Sequence, residues 1–172
     1  MAAHRRRSLW ALPSAHDGAE LAVQIGALAR LAGTRPFEPH ITVVGSVPGA
    51  DRAHEVVHRL STATGPFTVV LSEVIDTDEY FRCIVAVVRP AAGLSRLHRD
   101  ACEAFGAPVD GFAPHVSLLY GDLPAGERER LRGHVAPKLP GEVRVDRLAL
   151  VDTEGDDTRA WSTLAAWPLG GA

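Results

Sequence analysis

The chain has 172 residues, of which 46% are hydrophobic and 23% charged, a composition typical of a globular protein with one domain or two closely packed lobes. Its 18 basic and 21 acidic residues give a formal charge of −3, which argues against a surface built to bind long nucleic acid. No apolar run reaches the roughly 20 residues of a membrane span, and no long apolar stretch follows the basic cluster His4–Arg7, so we expect a cytoplasmic protein without a signal peptide or a membrane partner.

Apolar spacing and turn residues predict six elements in the first half of the chain: strand, helix, strand, helix and two strands. They cover Ser8–Leu12, Gly18–Ala32, His40–Val44, Ala50–Thr62, Phe67–Ile75 and Phe81–Val88. Asp17 can cap the first helix, and Gly33 fits its C-terminal end. The acidic turn at 76–79 joins the last two strands into an antiparallel hairpin.

The second half repeats this order. Apolar residues from Leu94 to Phe105 indicate a helix that ends near Gly106, and a strand, a helix and two strands follow it. These cover His115–Tyr120, Ala125–Val135, Val143–Val151 and Ala160–Ala166. A duplicated unit of helices and largely antiparallel strands predicts an α+β fold. We expect two sheets to meet around the strands at 40–44 and 115–120 and to leave a cleft at their junction.

Pro39–Gly45 and Pro114–Gly121 are two copies of one motif. Each reads proline, histidine, an apolar residue, a hydroxyl residue, two apolar residues and then glycine, with Tyr120 inserted in the second copy. Side chains two positions apart in a strand point to the same face. Two such strands side by side would present four polar side chains to one cleft, and these are His40, Thr42, His115 and Ser117.

Two histidines and two hydroxyls suit the hydrolysis of a cyclic phosphodiester. One histidine can take a proton from the attacking water while the other protonates the departing ring oxygen. The hydroxyls of Thr42 and Ser117 can donate hydrogen bonds to the non-bridging oxygens. The arrangement requires no metal or other cofactor, and neither half carries the acidic ligands of a two-metal site.

A single His-x-Thr is a weak signal, because a lone histidine in a strand usually serves the structure. Its repetition in a matching context favours a functional pair. His54 and His58 lie four residues apart on a predicted helix without a third candidate ligand, and we interpret them as part of a solvated face. Cys83 and Cys102 are expected to be reduced and buried, and His4–Arg7 to be a solvated end that can also attract a phosphate.

The paired motifs resemble those of the 2H phosphoesterase superfamily, which is named for its two histidines. Within it, the chain is most similar to the cyclic phosphodiesterases of the plant and yeast type. Ser8–Pro13 resembles their opening strand, Tyr80–Cys83 their central hairpin and Arg147–Leu150 a late strand. The likeness extends from about residue 8 to residue 167.

The resemblance implies one bilobal domain over residues 1–172, with pseudo-two-fold symmetry. It implies metal-free opening of nucleoside 2′,3′-cyclic phosphates to 2′-phosphates, or of ADP-ribose 1″,2″-cyclic phosphate. His40 and His115 would be the acid–base pair, and Thr42 and Ser117 the phosphate ligands. The near-symmetry of the two copies leaves open which histidine is the base. Further candidates for contacts with the base or ribose are Trp10, Tyr120 and Phe81.

We expect a monomer that binds a small cyclic phosphate. An alternative is a relative that acts on RNA termini, either a 2′-5′ RNA ligase-like protein or an RNA-end cyclic phosphodiesterase, although the acidic balance disfavours long RNA. A second alternative is a binding module without activity that holds a phosphorylated metabolite or RNA. The presence of both motif histidines disfavours that alternative.

Overall fold

The computed structural model describes residues 6–47, 50–155 and 157–170 and contains seven strands, four α-helices and two short 3-10 helices. The strands are β1 Arg7–Pro13, β2 Ile41–Val44, β3 Phe67–Asp76, β4 Ile84–Val88, β5 His115–Leu119, β6 Glu142–Asp152 and β7 Ser162–Pro168. The helices are α1 Ala15–Ala32, α2 Ala50–Ala63, α3 Ala92–Phe105 and α4 Ala125–Val135, with 3-10 turns at Tyr80–Arg82 and Ala136–Lys138. Among the described residues, no helix combines the length and the apolar character that crossing a membrane requires.

All seven strands belong to one antiparallel network, in the order β1-β2-β5-β4-β3-β6-β7. Strand β6 also pairs with β1, so six strands close into a ring and β7 lies outside it. The α+β class with antiparallel strands is confirmed. The two expected sheets are therefore joined to each other, because β2–β5 and β3–β6 connect them on either side.

The duplication predicted from the sequence appears in the topology. The first unit is β1-α1-β2-α2-β3 and the second is β4-α3-β5-α4-β6. Exchanging β1 with β4, β2 with β5 and β3 with β6 reproduces the same set of six pairings in the ring. The pairings of β2 with β5 and of β3 with β6 map onto themselves and therefore lie on the pseudo-two-fold axis.

The starts of α1 and β4 each differ from the prediction by three residues, whereas the other boundaries differ by two at most. Helix α1 begins at Ala15 rather than Gly18, because the Ser14 hydroxyl accepts a hydrogen bond from the Asp17 backbone N–H at 3.2 Å and serves as the cap. Phe81 lies in a 3-10 turn rather than in a strand, and β4 begins only at Ile84. The antiparallel hairpin of β3 and β4 is confirmed.

The helices and the cavity lie on opposite faces of the strands. Leu9 and Ala11 of β1 belong to the main core, together with apolar residues of all four helices. Trp10 and Leu12 alternate with them and pack with Trp161 in a second cluster on the other face. The period of two along β1 thus separates a helix-covered core from the face that carries the candidate site.

Candidate active site

The two motif strands meet at one register pair on the pseudo-two-fold axis. Ile41 of β2 lies opposite Val116 of β5, and both are fully buried in the core. Extending this antiparallel register by one residue in each direction places each motif histidine across from the hydroxyl residue of the other strand, on the face opposite the core. The two resulting pairs are His40 with Ser117 and His115 with Thr42.

Each histidine is held by the carbonyl two residues before it. His40 Nδ1 lies 2.7 Å from the Glu38 carbonyl oxygen, and His115 Nδ1 lies 3.0 Å from that of Ala113. A carbonyl oxygen only accepts, so Nδ1 carries the hydrogen in both rings. When either ring is neutral, its Nε2 keeps a free lone pair, and when the ring is charged its Nε2 donates.

His40 is the more enclosed of the two histidines. Its ring stacks on that of Trp10, with centroids 3.6 Å apart and planes 7° from parallel, and only 5% of the residue is exposed. Burial and, to a smaller extent, the nearby His115 lower the pKa of His40 to about 4, although the hydrogen bond to the Glu38 carbonyl raises it. His40 is therefore a neutral imidazole at neutral pH.

His115 has more polar surroundings. Burial also lowers its pKa, and the hydrogen bond to Ala113 opposes this effect. Two charged side chains of the 3-10 turn region act on the same ring: the Arg82 guanidinium lowers the pKa of His115 and the Glu79 carboxylate raises it. Each motif histidine thus makes an equivalent hydrogen bond to the backbone, but the two rings differ in burial and in the charges beside them.

The hydroxyls are also inequivalent. Ser117 is buried and donates to the Phe81 carbonyl at 3.3 Å, whereas Thr42 is half-buried and lies beside Trp10 in the β1–β2 pairing. Burial raises the pKa of Tyr120 to about 12, although a hydrogen bond with the Ser117 side chain lowers it. Tyr120 therefore keeps its proton and can act as a further donor next to Ser117.

One cavity of about 210 Å³ brings together all seven residues singled out from the sequence. They are His40, Thr42, His115, Ser117, Trp10, Tyr120 and Phe81. Seven further residues complete the lining: Arg6, Ser8, Gly45, Arg82, Thr153, Gly155 and Trp161. The sequence had indicated none of these seven as site residues, except that Arg6 belongs to the basic cluster His4–Arg7, which was expected to be able to attract a phosphate.

Aromatic rings form one wall of this cavity. Phe81 lies 5.3 Å from the ring of Tyr120 and 5.6 Å from that of Trp161, and Trp161 contacts Trp10 edge-on at 6.1 Å. Trp161 is held by a hydrogen bond from its Nε1 to the Gly155 carbonyl at 3.1 Å. The sequence placed Trp161 in the predicted strand 160–166 without assigning it to the site, whereas in the structure it precedes β7, which begins at Ser162.

Two arginines give the cavity positive charge. Arg6 lines it from the start of β1, and its Nε lies 3.5 Å from the Gly45 carbonyl oxygen; His4 and Arg5 of the same cluster lie outside the described residues. Arg82 lines the cavity beside His115, and its Nε is buried without a hydrogen-bond partner among the described residues. An anion in the cavity would meet both guanidinium groups.

The described residues place one group of three potential metal ligands within 4.8 Å of each other, His16, Asp17 and Glu20 on the first turns of α1. This group is not part of the cavity lining, and Asp17 already accepts from the Arg144 backbone N–H at 2.7 Å. His54 and His58 are exposed on α2, as the sequence predicted. Cys83 and Cys102 are confirmed as buried free thiols.

Comparison with known proteins places the chain in a family. The model of the 2′-5′ RNA ligase superfamily matches residues 18–157. No protein with a curated function matches the chain.

Solved structures share the fold. TT0787 of Thermus thermophilus has a TM-score of 0.64 at 20% identity, covering 96% of this chain and 98% of its own. Escherichia coli LigT complexed with 3′-AMP has a TM-score of 0.62 at 18% identity, covering 97% and 99%. LigT complexed with phosphate has a TM-score of 0.59 at 19% identity, covering 96% and 97%.

The family match extends from before the first histidine motif to beyond the second, and thus includes both halves of the cavity. The chain therefore belongs to the 2′-5′ RNA ligase superfamily, the group of two-histidine phosphoesterases that its repeated motif resembles.

Proposed function

We propose that this protein hydrolyses cyclic phosphodiesters, nucleoside 2′,3′-cyclic phosphates above all, with His40 and His115 as its acid–base pair and without a metal. The observation that carries the proposal is the paired geometry of these two rings. Both line one cavity, and the Nδ1 atom of each is engaged by the carbonyl two residues earlier, so that both Nε2 atoms are available for proton transfer.

The different surroundings of the two rings support an assignment of their roles. His40, with its pKa lowered to about 4, is neutral and suits the general base that takes a proton from water through Nε2. Burial and Arg82 lower the pKa of His115, but this ring is less enclosed than His40 and Glu79 raises its pKa. The negative charge of a bound phosphate would further favour its protonated form. His115 is then the general acid.

The reaction proceeds in one displacement at phosphorus. The water oxygen forms a bond to phosphorus as its proton passes to His40, while the bond from phosphorus to the departing ribose oxygen breaks. That oxygen receives the proton from His115 Nε2. Thr42 donates to one non-bridging oxygen, and Ser117 donates to the other once its hydroxyl turns from the Phe81 carbonyl to the phosphate. Tyr120 and Arg82 add further donors from the same cavity wall.

The aromatic wall suits the nucleoside part of the substrate. Trp10 covers His40, and Phe81 and Trp161 leave a lining on which a base or a ribose can pack. The resemblance to the plant and yeast type supports a 2′-phosphate product and ADP-ribose 1″,2″-cyclic phosphate as a second substrate. LigT, similar in fold, has been crystallised with phosphate and with 3′-AMP, which agrees with a phosphorylated nucleoside here.

The ring of strands draws on both halves of the chain, which supports the proposal that residues 1–172 form one domain. A second candidate function is 2′-5′ ligation of RNA, favoured by the family description. Ligation would use the same two histidines, with a ribose 5′-hydroxyl in place of water as the attacking group. The two functions differ in their acceptor and can be separated by the product.

Incubation with 2′,3′-cyclic AMP, with ADP-ribose 1″,2″-cyclic phosphate and with an RNA oligomer ending in a cyclic phosphate tests this proposal. Product chromatography should show a monoester from the cyclic nucleotide. Exclusive joining of RNA ends, with no hydrolysis of any cyclic phosphate, would assign the ligase function instead. Phosphate binding without turnover of any of the three would leave only a binding module.

A further inference from the structure

A second, larger cavity adjoins the candidate active site. It has a volume of about 600 Å³, against about 210 Å³ for the first, and Tyr120 lines both. We call it the side groove. The residues that matter for its chemistry are Thr34, Arg35, Tyr80, Tyr120, Asp157 and Arg159.

The side groove carries an excess of positive charge. Arg159 and the Asp157 carboxylate form an ion pair, and Asp157 also accepts from the Arg159 backbone N–H. These bonds, with a contribution from Arg35, lower the pKa of Asp157 to about 2, so it is fully ionised at neutral pH. One carboxylate thus faces two guanidinium groups among the described lining residues, and a single positive charge is left over.

Arg35 is the side chain that supplies the free charge. It follows the C-terminal end of α1, where Gly33 adopts a left-handed conformation with φ of 68° and turns the chain. Arg35 is exposed, and its side chain forms no hydrogen bond or ion pair with any residue that the structure describes. Arg159, by contrast, is paired with Asp157. A guanidinium in this state is suited to a phosphate oxygen.

The same segments build both cavities. Tyr120 stacks on Phe37 at 3.8 Å, and its position directly after β5 links the groove to the strand that carries His115 and Ser117. Tyr80 packs edge-on against Phe81 at 4.9 Å, with one ring facing each cavity. A substrate that reaches past the Tyr120 ring would therefore have one end at the histidines and the other at Arg35.

A ribose with a cyclic phosphate presents its 2′,3′ edge to the histidines. Any group attached through its 5′ carbon lies on the far side of the ring and must leave the first cavity. Two further cavities share lining residues with the first: the side groove, and a cavity of about 340 Å³ that shares Thr42, Gly45 and His115. The described lining of the latter includes Asp110 and no arginine or lysine. The guanidinium groups and hydroxyl side chains of the side groove match a phosphate, which favours this groove over the other cavity.

We propose that the side groove binds a second phosphate, attached through the 5′ oxygen of the ribose that carries the cyclic phosphate, with Arg35 as its principal ligand. This inference rests on the proposed function. It makes substrates extended on the 5′ side better than simple cyclic nucleotides. The phosphodiester of an RNA 3′ end and the diphosphate of a cyclic ADP-ribose derivative share this chemistry.

The test compares kcat/KM for four cyclic phosphates: 2′,3′-cyclic AMP, its 5′-phosphorylated form, an adenosine dinucleotide ending in a 2′,3′-cyclic phosphate, and ADP-ribose 1″,2″-cyclic phosphate. We expect the 5′-phosphorylated compound to exceed 2′,3′-cyclic AMP by about tenfold, since a hydrogen bond to a charged group is worth that much. The dinucleotide and the ADP-ribose derivative show which natural source of the second phosphate fits the groove.

Arg35→Gln should reduce the preference for the 5′-phosphorylated substrate by about tenfold, and Arg159→Gln should reduce it less, because Asp157 already engages that side chain. Arg99→Gln is the matched control: its side chain is 63% exposed, against 61% for Arg159, and it likewise lies by an aspartate, Asp100. The control should leave the preference unchanged.

Two results would overturn the inference. One is equal kcat/KM for 2′,3′-cyclic AMP and its 5′-phosphorylated form, and the other is a preference that survives in Arg35→Gln. Both leave the hydrolysis of cyclic phosphates in place. Failure of the proposed function would instead abolish turnover of all four compounds, so the two failures are distinguishable.

Discussion

At the scale of single side chains, the two motif histidines have the same sequence pattern and equivalent backbone hydrogen bonds, but they differ in the residues that surround their rings. Trp10 closes one face of His40, whereas His115 lies between the charges of Arg82 and Glu79. His40 and His115 are therefore alike in sequence context but differ in the effects that set their pKa values. A reaction that needs one base and one acid can use this difference directly.

Replacing either motif histidine by alanine should reduce kcat for 2′,3′-cyclic AMP by at least 10²-fold, because general acid–base steps contribute about 10²–10⁴-fold. His58→Ala on the exposed face of α2 is the control and should keep full activity. Circular dichroism and thermal unfolding should show all three variants folded. Near-normal turnover by His40→Ala or His115→Ala would contradict the mechanism.

The pH dependence of kcat/KM should be bell-shaped with its maximum on the acidic side of neutrality. Activity rises as His40 loses its proton, around the pKa of about 4 to which burial lowers it. Activity falls again as His115 loses its proton, with a pKa that burial holds below the ordinary value of 6.5. A rate that climbs steadily to an alkaline plateau would argue against His115 as the acid.

Arg82 and Glu79 should move the alkaline limb of that profile in opposite directions. Arg82→Gln removes a charge that lowers the pKa of His115, so the limb should shift to higher pH. Glu79→Gln removes a charge that raises it, so the limb should shift to lower pH. If both variants leave the limb in place, the descending group is not His115.

At the scale of elements, helix α3 ties the two motif segments together through one buried side chain. His98 Nδ1 lies 2.8 Å from the Val43 carbonyl of β2, and its Nε2 lies 3.1 Å from the Val109 carbonyl in the loop before β5. Phe112 of the same loop stacks on the ring at 3.8 Å. His98 therefore fixes the approach of the chain to His115.

His98→Ala should destabilise the protein by about 2 to 3 kcal/mol, because it removes both a buried N–H donor to a backbone carbonyl and the ring that stacks on Phe112. Urea unfolding of this variant and of His58→Ala measures the difference. The exposed control should stay within about 0.5 kcal/mol of the parent. Equal midpoints for the two variants would show that the His98 contacts contribute nothing.

Much of the element order follows from the sequence, since amphipathic spacing is a local property. Leu21, Ile25 and Leu28 recur in α1 at the spacing of one helical face, and all three are buried. The bounds of α4 agree with the prediction. Gly33 ends α1 as expected. The start of α1 was wrong because two residues, Ser14 and Asp17, are both good caps, and the spacing of apolar residues does not choose between them.

The candidate site was predicted from two signals, the repeated motif and the family resemblance that added Trp10, Tyr120 and Phe81. Motif repetition identified His40 and His115, and the β2–β5 register brings them together. Arg6 and Trp161 reach the same cavity from opposite ends of the chain, and their meeting depends on the pairing of β1 with β6. No local pattern encodes that pairing.

At the scale of the whole molecule, neither half of the chain contains a complete site. Strand β6 closes the ring by pairing with β1 and β3, and the cavity takes one histidine and one hydroxyl from each duplicated unit. In the proposed mechanism, the proton donor and the proton acceptor would therefore approach the phosphate from different units. This arrangement fits a displacement in which water enters opposite the leaving oxygen.

The proposed chemistry assigns every step to side chains of the protein. Activity on 2′,3′-cyclic AMP should therefore be unchanged after exhaustive treatment with EDTA, since both proton transfers use imidazoles. Assays before and after chelation, and after addition of Mg²⁺, Mn²⁺ or Zn²⁺, measure this. Loss of turnover on chelation with recovery on addition of one ion would indicate a metal site and contradict the proposal.

The most direct test of the central claim is the product that the purified protein forms from 2′,3′-cyclic AMP, resolved chromatographically against 2′-AMP and 3′-AMP standards. The proposed mechanism predicts 2′-AMP from the parent protein and no product from His40→Ala or His115→Ala. An unchanged cyclic nucleotide, or product formation that is indifferent to both substitutions, would contradict it.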